Sequence, residues 1–95
     1  MIRYNVTQSF TNSTSYKIID VTTIDSNLIR YQCACVSGSV VYMASLFNGY
    51  FLKYDTTKDF TEEDSWDFFN ISAINADYKG QLEIKAIGNY IYFIP

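Results

Sequence analysis

This sequence predicts an all-β chain built from two tandem four-stranded repeats, and three observations carry that prediction. The residue mix favours strands. Among 95 residues there are nine Tyr, seven Phe and one Trp, side chains that suit a pleated, half-buried surface. No segment shows a sustained apolar stripe at helical spacing with caps at its ends, so no helix is expected. Above all, the chain repeats itself. Shifted by 50 positions, Met1–Ser45 aligns with Phe51–Pro95 without a gap. The identical pairs are Tyr4/Tyr54, Thr7/Thr57, Phe10/Phe60, Thr11/Thr61, Ser15/Ser65, Ile24/Ile74, Gly38/Gly88 and Tyr42/Tyr92. Conservative pairs such as Ile2/Leu52, Arg3/Lys53, Tyr16/Trp66, Ile18/Phe68 and Val41/Ile91 concentrate in the strand-like segments.

Four strands are expected in each copy. The first copy offers Ile2–Asn5, Tyr16–Val21, Tyr31–Val36 and Val40–Ala44; the second offers Tyr50–Tyr54, Trp66–Ile71, Gln81–Ile87 and Tyr90–Ile94. Asn5 and Asp55, each with Thr two residues on, read as side chains that fold back on the backbone and end their strands. The connections Ser37-Gly38-Ser39 and Gly88-Asn89 read as hairpin turns, where the shared Gly supplies a positive φ. "QLEIKAI" alternates apolar and polar as a half-buried strand does, whereas "YIYFI" is apolar on both faces, as suits a strand between two layers. Cys33 and Cys35 leave the same face of one strand, where an i,i+2 disulfide would be strained, so they read as reduced, semi-buried residues.

A period of 40–50 residues holding several strands is the signature of a propeller blade. Together, "GNYIYFIP", "NGYFLKYDTT" and "SWDFFNI" resemble blades of the kelch-type β-propellers. In that family an inner hairpin ends in an "IY" strand, a third strand ends in "YD", and an aromatic residue opens the outer strand. The resemblance covers both copies and implies a propeller. Where that family has a Gly pair after the "IY" strand, this chain has Ala44-Ser45 and Ile94-Pro95.

With strands lettered A to D from axis to rim, the order along the chain is C-D-A-B-C-D-A-B. The expectation is a single two-repeat unit over 1–95, repeat 1 being 1–50 and repeat 2 being 51–95, with one complete sheet flanked by two halves. Propellers close with about 4–8 blades, so the ring is expected to close by head-to-tail oligomerisation, the A-B pair of one chain meeting the C-D pair of the next. A homotrimer of six blades is preferred and a tetramer of eight stands as an alternative. A second reading is that the chain is a piece of a longer propeller.

Charge and motifs narrow the function. The net charge is −3 with no basic cluster, which argues against a nucleic-acid partner. No apolar run reaches the ~20 residues of a membrane span, and no apolar region follows Arg3, so no signal peptide is expected and the location defaults to the cytoplasm. Asn5, Asn12 and Asn70 open glycosylation-type triplets, which read as the chance product of a chain rich in Asn, Ser and Thr. There is no His, and no Ser or Cys stands beside a base in a recognisable pattern, so neither an enzyme nor a cofactor is expected. Asp59, Glu62, Glu63 and Asp64 form an acidic run without calcium-loop spacing, which reads as a solvated loop, and no metal is expected. Functional weight falls on loops where the copies differ: Ser45–Gly49, Thr22–Arg30 and Ser72–Gly80, which should open on one face. There Phe47, Asn48, Asp77 and Tyr78 are the candidates to meet a ligand, rings to stack and amide or carboxylate to hydrogen-bond. The expected function is a non-catalytic binding or scaffold module engaging a protein or a glycan. The alternatives are a piece whose only activity is self-assembly and a sugar-binding lectin.

Overall fold

The computed structural model describes residues 1–95 as eight strands in three antiparallel sheets, none of which closes on itself. The strands are β1 (Ile2–Tyr4), β2 (Tyr16–Ile18), β3 (Tyr31–Ser37), β4 (Val40–Ser45), β5 (Tyr50–Asp55), β6 (Trp66–Asn70), β7 (Glu83–Ile87) and β8 (Tyr90–Ile94). β1 pairs with β2, β7 pairs with β8, and between them lies a four-stranded sheet in the order β3-β4-β5-β6. The all-β expectation and the grouping of strands are therefore found. Both tight hairpins turn on a glycine in the left-handed region, Gly38 at φ 59° and Gly88 at φ 58°.

Where expectation and structure differ, one cause recurs. β2 stops at Ile18 and β6 at Asn70, short of the anticipated Val21 and Ile71, because a single 3-10 turn follows each. Asp20 Oδ1 accepts the N–H and hydroxyl of Thr22 at 3.0 and 2.5 Å, and Asn70 Oδ1 accepts the N–H of Ser72 at 3.0 Å. The carboxylate or amide thus takes a donor that the ladder would have used. β7 starts at Glu83 rather than Gln81, because the Gln81 N–H donates to the Ser45 carbonyl at 3.0 Å and ties the segment to the neighbouring sheet.

The anticipated turns at Asn5 and Asp55 are present. In each, Oδ1 accepts from Thr N–H at 3.0 Å and from Thr Oγ1 at 2.6 Å. The same motif closes at Asn12 with Thr14 and at Asp59 with Thr61. All three glycosylation-type triplets therefore have a conformational reason to exist: Asn and a hydroxyl residue two positions on form a side-chain turn, and Asp does the same at Asp20, Asp55 and Asp59.

Period-2 alternation divides each sheet into two faces. On β5 and β6, one face carries Leu52, Tyr54, Trp66 and Phe68, and the other carries Phe51, Lys53, Asp67 and Phe69, as the register Leu52↔Phe68 and Phe51↔Phe69 requires. The first of these faces packs against the β1–β2 pair. Ile19, Val21, Leu28, Met43, Leu52, Tyr54, Phe60 and Trp66 form the buried core, with Met1 against it. On the opposite side, β7–β8 covers the inner strands of the sheet, Phe93 stacking on Phe51 with centroids 3.9 Å apart and planes 6° from parallel. Three layers thus stack in chain order. Ala44 and Ser45, both fully buried, lie at the end of β4 near the β7 side, where Cys33 also packs: its Sγ lies 3.6 Å from Ala44 O and 3.8 Å from Gln81 O. Both cysteines are free. No helix is long and apolar enough to cross a membrane.

Candidate functional site

Three loops meet at one end of the central sheet, and backbone hydrogen bonds hold them there. Leu46 N–H donates to Arg30 O at 3.2 Å, and Gly80 N–H donates to Asn48 O at 3.3 Å. The 45–49 loop is thus clamped between the 22–30 and 72–80 loops. Buried Ser45 shapes it from below: its Oγ accepts the N–H of Phe47 at 3.0 Å and of Asn48 at 3.3 Å.

The four anticipated residues take different places in this cluster. Phe47 is exposed, and the Arg30 guanidinium lies over its ring, 4.6 Å from the centroid. Asn48 uses its amide to join loops: Nδ2 donates to Asn27 O at 2.9 Å and Oδ1 accepts from Tyr50 N–H at 3.0 Å. Asn75 sets the backbone of the other two, its Oδ1 accepting from Asp77 N–H at 3.0 Å and its carbonyl from Tyr78 N–H at 3.1 Å. The structure brings the backbones of the Asn48 and Tyr78 loops together. Phe47 has Arg30 as its partner.

Arg30 escaped the sequence reading. It is the one residue other than glycine with a positive φ, 59°, a conformation that costs roughly 1–2 kcal/mol for an ordinary side chain. Its counterpart 50 residues on is Gly80, at φ 72°, so both copies demand a left-handed residue here. That pairing was visible in the alignment and pointed to the position. Arg30, Tyr31, Gln32, Leu46 and Phe47 line an open groove of about 520 Å³. A strained cationic residue over an exposed ring beside an amide is a surface suited to hydrogen-bonding and stacking on a polar ligand.

The remaining polar groups are engaged locally. Asp59 is engaged by Thr61, and Glu63 Oε1 accepts from Thr23 Oγ1 at 2.9 Å. No three His, Cys, Asp or Glu side chains are arranged to hold a metal ion. Burial pushes the Cys33 and Cys35 thiols above their ordinary range, away from the thiolate that a nucleophile needs. Burial likewise raises the Tyr31 phenol, whose hydroxyl donates to Tyr50 O at 3.0 Å. Asp20, Asp55 and Asp59 are held below the usual carboxylate range by the hydrogen bonds of their turns.

A second concavity lies on the β5–β6 face beside the stacked Phe51 and Phe93. It is apolar, about 330 Å³, and lined by Phe51, Phe69, Phe93 and Tyr42 among others, with Lys53 and Asp67 at its side. No protein-family model, no curated protein and no solved structure matches this chain.

Proposed function

We propose that the chain is a non-catalytic binding and scaffold module that joins copies of itself head to tail into a closed, kelch-like β-propeller and engages a protein or glycan through its loop end. One observation carries the reading: a complete four-stranded sheet is flanked by the two-stranded β1–β2 on one side and β7–β8 on the other. By the 50-residue repeat, β1 and β2 correspond to β5 and β6, while β7 and β8 correspond to β3 and β4. The flanking pairs are therefore complementary halves of one more sheet. Each half leaves a strand edge whose N–H and C=O groups call for a partner. Three chains supply six such sheets, within the range in which propellers close.

Light scattering coupled to size exclusion tests the assembly. The expected mass is three times the 11.0 kDa of one chain; a folded monomer at micromolar concentration and above would overturn it. On the ligand side, Arg30 and Phe47 are the residues to change, and a glycan array is the first screen. Binding that is lost in Phe47→Ala supports a sugar ligand. An array without binding, in a chain that assembles, favours a protein ligand or a scaffold whose activity is self-assembly.

A further inference from the structure

We infer that β8 of one copy and β1 of a second copy form an antiparallel ladder in which Tyr92 stands opposite Arg3, with the exposed β1–β2 face of the second copy seated on the apolar β5–β6 groove of the first. This rests on the head-to-tail reading and deepens it by fixing the register and the faces that meet.

The register follows from the chain's own internal example. β4 pairs with β5 as Val41↔Tyr54, Tyr42↔Lys53 and Met43↔Leu52. Moving β4 forward by 50 gives β8, and moving β5 back by 50 gives β1, so the same pairing reads Ile91↔Tyr4, Tyr92↔Arg3 and Phe93↔Ile2 between two copies. A slip by one residue would turn each apolar face to solvent.

The faces follow from the same example. Within one chain, the β1–β2 face bearing Arg3 and Ile19 packs on the β5–β6 face bearing Tyr54 and Trp66, and the Arg3 guanidinium lies 5.3 Å from the Phe60 ring centroid. The matching surfaces one repeat away are both uncovered. One is the β5–β6 groove at Lys53 and Phe69, bounded on its inner side by Phe93 stacked on Phe51. The other is the opposite β1–β2 face, where Ile2 is 68% exposed, Ile18 69% and Phe10 71%. Contiguous exposed apolar faces of this kind mark interaction sites. Placing the second on the first sets Lys53 over Phe10, repeating the cation–ring contact of Arg3 with Phe60.

Charge supports a second copy as the occupant. Inside the chain, Asp59 sits in the field of Arg3 and Lys17. Across the junction the corresponding residues are Ser9, Lys53 and Asp67. Lys17 has become an acid, and the acid that faced it has become a serine, so two carboxylates are not brought together. The other half of the same junction pairs Ile87 and Tyr92 of β7–β8 with exposed Val36 and its neighbour Val41 on β3–β4, while Lys85 and Glu83 on the same face of β7 pair with each other at 3.2 Å.

Disulfide trapping tests the register. In a Cys33→Ala/Cys35→Ala background, Arg3→Cys/Tyr92→Cys is compared with Arg3→Cys/Tyr90→Cys, which uses the same strand face two residues out of step; each is oxidised with oxidised glutathione and read on a non-reducing gel. Chain-to-chain disulfides are expected from the first pair, with at least about tenfold less from the second, because the bond requires Cα atoms within about 7 Å. Association by light scattering with equal trapping of both pairs, or none, overturns the register and leaves head-to-tail assembly standing. A monomer at every concentration overturns both. Phe10→Glu provides a check free of added cysteines: the ring is exposed in one chain, so the strand signal by circular dichroism should persist while the dissociation constant rises at least about tenfold. Unchanged association of this variant would also overturn the inference.

Discussion

Two aromatic triads, 50 residues apart, are built alike and buried differently. In the second copy, Tyr54 and Trp66 stack with centroids 4.7 Å apart, and Phe60 meets them edge-on at 5.3 Å. In the first copy, Tyr4 and Tyr16 lie 5.0 Å apart, with Phe10 at 5.4 and 6.2 Å. Polar anchors repeat too. Trp66 Nε1–H donates to Phe60 O at 3.0 Å and Tyr16 Oη–H to Phe10 O at 2.7 Å; Tyr54 Oη–H donates to Lys58 O and Tyr4 Oη–H to Gln8 O. Yet Phe60 is 5% exposed and Phe10 71%. Local sequence therefore makes the triad, and a neighbouring layer decides whether it is core. For Tyr54–Phe60–Trp66 that layer is β1–β2 of the same chain; for Tyr4–Phe10–Tyr16 the proposed assembly would supply it from a second copy.

The largest expected effect separates these triads. Trp66→Ala removes a buried ring and its hydrogen bond to Phe60 and should cost about 3–5 kcal/mol. Tyr16→Ala at the matching position should cost less than about 1 kcal/mol in denaturant melts at dilutions that disfavour the proposed assembly. Under the proposed assembly the gap should narrow as concentration rises, since Tyr16 would then join a covered face. Equal costs at dilution would show that the two triads carry the same load without a neighbour.

A smaller effect separates the two left-handed positions. An added Cβ on Gly80 would lie 2.7 Å from Leu46 O, at a backbone φ of 72°, so Gly80→Ala should cost about 1–3 kcal/mol. Arg30→Gly relieves the matching strain and forfeits the contact with Phe47, worth about 0.5–1 kcal/mol. The expected net is neutral to slightly stabilising, within about 1 kcal/mol, with any ligand affinity of the Phe47 groove reduced. A loss of stability as large as that of Gly80→Ala would mean that Arg30 is there for the fold.

Strand identity was legible because β-branched and aromatic residues, alternation and the repeat agreed in every segment. Strand ends were not. Asp20 and Asn70 are polar residues at the close of apolar runs, and only the captured N–H of Thr22 or Ser72 shows that the chain turns there. Of the loop residues, the convergence was legible from strand polarity, but the work of each side chain was not. Asn48 and Tyr78 look alike in sequence as ligand contacts. Asn48 ties Asn27 to Tyr50. Tyr78 stands where the first copy has Leu28, 1% exposed in the core, and closure of the proposed junction would cover it as well. Arg30 was hidden because its backbone conformation, unlike its charge, shows only beside Gly80.

The smallest expected effect concerns the turns in which Asp and Asn do one job. Asp20, Asp55 and Asp59 each accept two hydrogen bonds from the residue two positions on, and those bonds hold their carboxyls below the ordinary range. A folded-state pKa below the unfolded value of about 3.9 gives stability that is present above that value and lost as the pH falls through the folded pKa. Asn5, at the position matching Asp55, accepts the same two bonds without a charge, and Asn70, matching Asp20, accepts the N–H of Ser72. The triple variant Asp20→Asn/Asp55→Asn/Asp59→Asn should therefore keep its turns and its circular dichroism while its thermal midpoint changes less than the wild type's as the pH is lowered through the ordinary carboxylate range and below it. A midpoint that falls as steeply in the variant would place the acid sensitivity in other carboxylates and leave these turns as geometry alone.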